Sequence, residues 1–337
     1  LFWKIDIYSV LSNSLRFATR FQEIAANISN ATFIPSGPIF AGPDLAGVDI
    51  RSTDWTQSDL FQNTSFDLTG NIKYATDHWY RCIGGPCDLP SLMSHTSTVG
   101  NVNQHIGPTA KYLSTYKDGE VKYFLDEINI QTGGQGNLTV SNSLATALYG
   151  VDFMMYLMTI GVSNVNWEQV FDSAQNVWQP SSSSTMPAQT KSIYYALITA
   201  AEFIGTGGNT TVVEITPSNN DGTYFSSYAA FEENAPARVA LCNLNYWDQS
   251  LGTQRPSPSI ELDGIPSGAT SVTVKYLTNP GGAAHNADNT TFGGSQWPFN
   301  SLGKEVTGVQ LTTIEVQVNE GVAQIPNPYS SIAIVYL

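Results

Sequence analysis

Asp126 and Glu127 interrupt the apolar run "EVKYFLDEINI" (residues 120–130), and the glycine-rich "IQTGGQG" follows at once. In a chain this poor in charge, two acids at a strand end call for a chemical reason. Glycoside hydrolysis needs a pair of carboxyl groups, one serving as acid and the other as nucleophile or base. Glu127 is the candidate nucleophile. Asp126 is expected to alternate to the opposite face of its strand, into the packing behind the sheet. A helix cap or a solvated turn would be the bland account of the pair. Two further strand ends are polar: "DHWY" (77–80) and "NWEQVF" (166–171). Acids, a histidine, Trp79 and Trp167 around one cleft suit a sugar, whose ring stacks on aromatic faces. His78 and Tyr80 share a strand face, and Tyr80 is expected to donate a hydrogen bond to Glu127. Glu168 reads more simply as a surface glutamate. Gly133 and Gly134 allow backbone N–H groups to approach a carboxylate closely, although a plain turn would use the same glycines.

The elements that must position these groups fall into two regimes. Up to about residue 207, strand-like and helix-like segments alternate, which implies parallel β/α units. "NIKYATDHWY" (71–80), residues 120–130 and "VSNVNW" (162–167) read as strands. Phe17, Phe21, Ile24 and Ile28 recur at helical spacing, as do Leu144, Leu148, Val151, Met155 and Met158. Residues 191–205 read as a helix with Gly205 at its C-terminal cap. The stretch 143–162 is apolar enough to resemble a membrane span, but Asp152 lies inside it and basic flanks are lacking, so a buried helix is expected. From 208 to 337 only strands and turns are evident, as in an antiparallel β-sandwich. The expected organisation is therefore 1–207, about four β/α units or half of a (β/α)8 barrel, and 208–337, a β-sandwich.

Composition narrows the function classes. The 337 residues carry 12% charged side chains and a net charge of −14, which disfavours nucleic acid and anionic membrane as partners. Six N-x-S/T sequons, at Asn27, Asn30, Asn63, Asn137, Asn209 and Asn289, point to an extracellular, secreted glycoprotein. Cys82 and Cys87 flank "IGGP" and are placed for a disulfide, whereas Cys242 lies in an apolar strand and reads as a buried thiol. No metal or organic cofactor is implied.

The stretch from "YFLDEINIQTGGQG" through "SLATALYGVDFMMYLMTIGV", with "NVNW", "WQP", "YYALITAAEFIG" and the terminal "PYSSIAIVYL", resembles glycoside hydrolase family 79 of fungal type, the β-glucuronidases and heparanase-like enzymes. The resemblance implies a (β/α)8 barrel with a β-sandwich and hydrolysis with retention. It implies Glu127 as nucleophile, His78 and Tyr80 as the family's H-x-Y strand end, and Gly133 and Gly134 as amides that bind the uronate carboxylate. Gln131, Thr132, Trp167 and Gln175 fall at the substrate side of the same segments. Thr132 and Gln175 stand where the family carries tyrosines. The family's acid/base glutamate lies in an N-E-P motif that this chain lacks, so that group is expected outside it, on an N-terminal polypeptide that completes the barrel. A noncatalytic carbohydrate-binding glycoprotein with the same fold is the alternative.

Overall fold

The computed structural model describes residues 14–31, 39–46, 55–82, 87–131, 138–218 and 222–337. The helices are α1 Ser14–Ala31, α2 Gln57–Asn63, α3 Leu89–Leu92, α4 His95–His105, α5 Gly107–Thr115, α6 Leu138–Ser141, α7 Leu144–Thr159 and α8 Ser192–Ile204. The strands are β1 Phe40–Ala41, β2 Ile72–Cys82, β3 Lys122–Gln131, β4 Val162–Trp167, β5 Trp178–Gln179, β6 Gln189–Thr190, β7 Thr210–Glu214, β8 Phe225–Glu232, β9 Ala235–Asn243, β10 Ser259–Leu262, β11 Ser271–Thr278, β12 Thr291–Phe292, β13 Thr313–Asn319, β14 Val322–Pro326 and β15 Ser331–Tyr336. β1 to β4 form a parallel sheet in chain order. Two compact units are present: Leu1–Trp79 with Val102–Ile128 and Ile160–Asn166, and Tyr80–Asn101 with Asn129–Thr159 and Trp167–Leu337.

In the first unit an aromatic cluster packs α1 against α2 and the segment after it. Phe17 and Phe21, one turn apart on α1, lie 5.7 and 4.6 Å from Phe66, and Phe61 of α2 meets Phe66 edge-on. Only Phe17 of the expected α1 stripe is fully buried; Ala18 and Ala25 complete the buried face. α2 starts at a reciprocal cap: the Thr56 hydroxyl accepts from the Asp59 N–H and the Asp59 carboxylate accepts from the Thr56 N–H.

The second unit contains α7, in which every residue from Leu144 to Leu157 is buried. Among the described residues no helix is long and apolar enough to cross a membrane. Gly150 lets α8 approach α7, since a Cβ there would lie 2.7 Å from Ile193 Cδ1 and 3.1 Å from Ala196 Cβ. α8 ends at Gly205, with φ 75° and its N–H bonded to Ala201 O. The expected sandwich is one continuous antiparallel sheet, β10-β14-β13-β11-β15-β9-β8-β7, with β12 paired to β11. It curls around a shared core that includes Phe225, Leu241, Val274, Ile325 and Val335. Cys82 and Cys87 are bridged, with Cα atoms 5.7 Å apart, and Cys242 is a buried free thiol.

Asp152 is the charge inside the apolar helix, and the fold surrounds it with donors. Its carboxylate accepts from His95 Nδ1 (3.0 Å), Ser226 (2.6 Å) and Tyr228 (2.8 Å), while His95 Nε2 lies 3.0 Å from Glu214. Burial alone would push the His95 imidazole down, but its bonds to Asp152 and Glu214 outweigh this and push it up to about 10. The unfolded value is near 6.5, so this stabilisation is complete below about pH 6.5 and is lost as pH rises through about 10. Melting temperatures of the protein and of His95→Gln, followed from pH 6 to 10, are therefore expected to converge as pH rises. A gap independent of pH would place the effect in packing instead.

Candidate active site

In the first unit the neighbouring strands β2 and β3 bring His78 beside Asp126 and Glu127. His78 presents Nδ1 to Glu127 Oε1 at 3.6 Å, and its Nε2 lies 2.5 Å from Asp44 Oδ1 and 4.0 Å from Asp126 Oδ1. Asp126 therefore departs from expectation: its carboxyl joins the His78 cluster instead of packing behind the sheet. The physical reason is the imidazole, whose two nitrogens lie on different edges of the ring, so that one side chain meets neighbours on two sides. Burial first, and then the Asp44 charge, push the Asp126 carboxyl up to about 7. A proton on Asp126 relieves the repulsion between two neighbouring carboxylates. Burial by itself would push His78 down, but the hydrogen bond and charge of Asp44 and the charges of Glu127 and Asp126 push it up.

Asp44, His78 and Asp126 have donor atoms within 4.8 Å of one another, a spacing that admits a metal ion. The His78–Asp44 contact of 2.5 Å argues against one. Two ligands at ~2.1 Å from one ion would sit roughly 3 Å or more apart. The geometry is that of a charged hydrogen bond.

Asp77, next to His78, serves the fold. It is fully buried, accepts from Tyr123 (2.7 Å) and Gln57 (2.8 Å), and is pushed up to about 7 by burial. Trp79 is also buried and stacks on His105 with ring centroids 5.1 Å apart. It alternates with His78 and Tyr80 along β2 and so faces the helical side. The expectation of two tryptophans open to a sugar is thereby corrected, for Trp167 is buried as well and packs over Gly150 of α7.

In the second unit Tyr80 donates to Glu168 Oε2 at 3.3 Å. Gln131 and Gln175 meet directly, the Gln131 N–H donating to Gln175 Oε1 at 3.2 Å. Asn129 Nδ2 donates to the Gln175 carbonyl, which leaves Gln175 buried within a network. The loop before it is held by Lys191, whose buried ammonium donates to the carbonyls of Ser173 (2.9 Å) and Ala174 (2.7 Å). Burial pushes that ammonium down to about 8. Thr132, Gly133, Gly134 and Asn137 lie outside the described residues. Asn27, Asn30, Asn63, Asn209 and Asn289 are exposed.

Three comparisons with known proteins bear on the fold and the family. The family model described as "Glycosyl hydrolase family 79 C-terminal beta domain" matches residues 227–334. A β-glucuronidase of Aspergillus niger is 30% identical over 292 residues, covering 80% of this chain and 52% of that protein. The chain belongs to glycoside hydrolase family 79. A Neurospora crassa β-glucuronidase is 25% identical over 206 residues, 57% of this chain and 36% of that protein. Among solved structures, a 4-O-α-L-rhamnosyl-β-D-glucuronidase from Fusarium oxysporum superposes with a TM-score of 0.73 at 19% identity, covering 96% of this chain and 64% of that one. An α-L-arabinofuranosidase from Thermotoga maritima gives 0.60 at 14% identity, with 99% and 65% coverage. These superpositions establish the fold alone, a barrel-type β/α sheet with a C-terminal β domain. The chain spans about half the length of the Aspergillus relative.

Asp44 and Gln57 were not singled out by sequence reasoning. Nothing in "GPDL" (42–45) points to a histidine on another strand.

Proposed function

We propose that this chain is the C-terminal portion of a secreted, retaining β-glycosidase that removes β-linked glucuronic acid from glycans, with Glu127 as nucleophile. The observation that carries this reading is Glu127 on β3, faced by an imidazole that is itself held by a carboxylate. Glu127 attacks the anomeric carbon as the glycosidic bond to the leaving oxygen breaks, and water then displaces the carboxylate. The acid/base carboxyl that serves both steps is assigned to polypeptide outside this chain, roughly 5–5.5 Å from Glu127 as retention requires. The 1–207 and 208–337 segments are assigned as barrel and β domain. Surface sequons at Asn27, Asn30, Asn63, Asn209 and Asn289 support secretion and glycosylation.

A noncatalytic carbohydrate-binding role is the second reading. It is favoured by the burial of Trp167 and Gln175, two groups that a sugar site would present. The test uses the native protein and an aryl β-glucuronide, with the released sugar read by proton NMR in the first minutes. β-Glucuronic acid as the first anomer supports retention, and α-glucuronic acid first would overturn it. Sugar binding without any release of aglycone would favour the second reading.

A further inference from the structure

We propose that Asp44 is a positioning residue: it holds the His78 imidazole so that Nδ1 faces Glu127. The inference rests on the reading of Glu127 as nucleophile and extends it to a residue that the sequence motifs do not mark.

The backbone fixes Asp44 before its side chain is considered. The segment after β1 is laced to β2 by four main-chain bonds: Gly42 N to Tyr74 O, Thr76 N to Gly42 O, Leu45 N to Thr76 O, and His78 N to Leu45 O. The last of these ties the residue after Asp44 to His78 itself. Asp44 has φ 64°, in the left-handed region. A non-glycine residue there is uncommon, and aspartate is among the types that tolerate it. Sparsely populated backbone states of this kind gather where a side chain must be aimed. Here the carboxylate reaches His78 Nε2 at 2.5 Å. With Nε2 committed to Asp44, the ring's orientation is set and Nδ1 faces Glu127 at 3.6 Å.

The charges around His78 make the consequence directional. Asp44 comes from the β1 side, Asp126 and Glu127 from β3, and Asp77 is its neighbour on β2. Without Asp44, the imidazole loses its nearest negative charge and its anchor together. Glu127 would then lose a positive group held opposite it, in a partly buried site where such a charge counts for more than in water.

The test uses two variants and two readouts. Asp44→Asn keeps a residue that tolerates φ 64° and removes the charge; Asp44→Gly also suits the backbone and removes the side chain. In nitrogen-resolved NMR of the native protein, His78 is expected to titrate at lower pH in Asp44→Asn than in the wild type. It is also expected to titrate at lower pH in Glu127→Gln. In aryl glucuronide hydrolysis, Asp44→Asn is expected to lower kcat/KM roughly 10- to 100-fold and to change the shape of its pH profile. Thermal stability of both variants should stay near that of the wild type. An unchanged His78 titration in Asp44→Asn would overturn the proposal, as would a hydrolysis profile unaltered in height and shape. A His78 shift in a wild-type protein that hydrolyses nothing would leave the His78 arrangement standing and sink the glycosidase reading instead.

Discussion

Glu127→Gln is expected to lower kcat for aryl β-glucuronide hydrolysis by at least about 10³-fold, with little change in melting temperature. The amide matches the carboxylate in shape but cannot attack the anomeric carbon or leave as a stable carboxylate, so the covalent route closes. Effects of this size are usual when a nucleophile is removed. The fold should tolerate the change, since the Glu127 side chain is about one-third exposed (31%) and its neighbour His78 keeps Asp44. A sharper test follows from the stereochemistry. In Glu127→Ala, azide can enter the space left by the side chain and attack the same face of the sugar, giving α-glucuronyl azide as the aryl group departs. Formation of that product identifies the nucleophile. Activity within tenfold of the wild type for Glu127→Gln would show that another group does the work.

Asp152→Ala is the second large expectation, and it concerns stability. The carboxylate is fully buried and takes hydrogen bonds from His95, Ser226 and Tyr228. Alanine would leave a buried imidazolium and two hydroxyls without their acceptor. Breaking a buried pair on one side costs about 3–5 kcal/mol, because the remaining charge cannot regain water. Chemical denaturation near pH 7 should read that loss as a lower midpoint. A cost below about 1 kcal/mol would mean that solvent or the Glu214 carboxylate takes over the charge of His95. The pair joins α4 to α7, and His95 reaches on to β7, so its loss is expected to loosen all three elements.

Much of the architecture was legible because period and punctuation carry it. "VSNVNW" is β4 residue for residue, and the strand segments at 71–80 and 120–130 became β2 and β3 with shifts of one or two residues at their ends. Gly205 ends α8 because a residue with φ 75° is needed there. The apolar stretch with Asp152 resolved as a buried helix, since an acid in an apolar segment implies a partner and the sequence alone could not name it.

The sequence by itself determined which strand segments carry polar residues near their ends and where the disulfide closes. These are local properties of residue type and spacing. Only the tertiary structure decided which side chains meet. It brought Asp44 from a turn to His78, turned Asp126 into the same cluster, and buried Trp79 and Trp167 where an open cleft was expected. The physical reason is that a parallel sheet sets residues from distant segments side by side through backbone hydrogen bonds. The sequence names the strands but carries no direct record of which pair, in what register, or which helix covers which face.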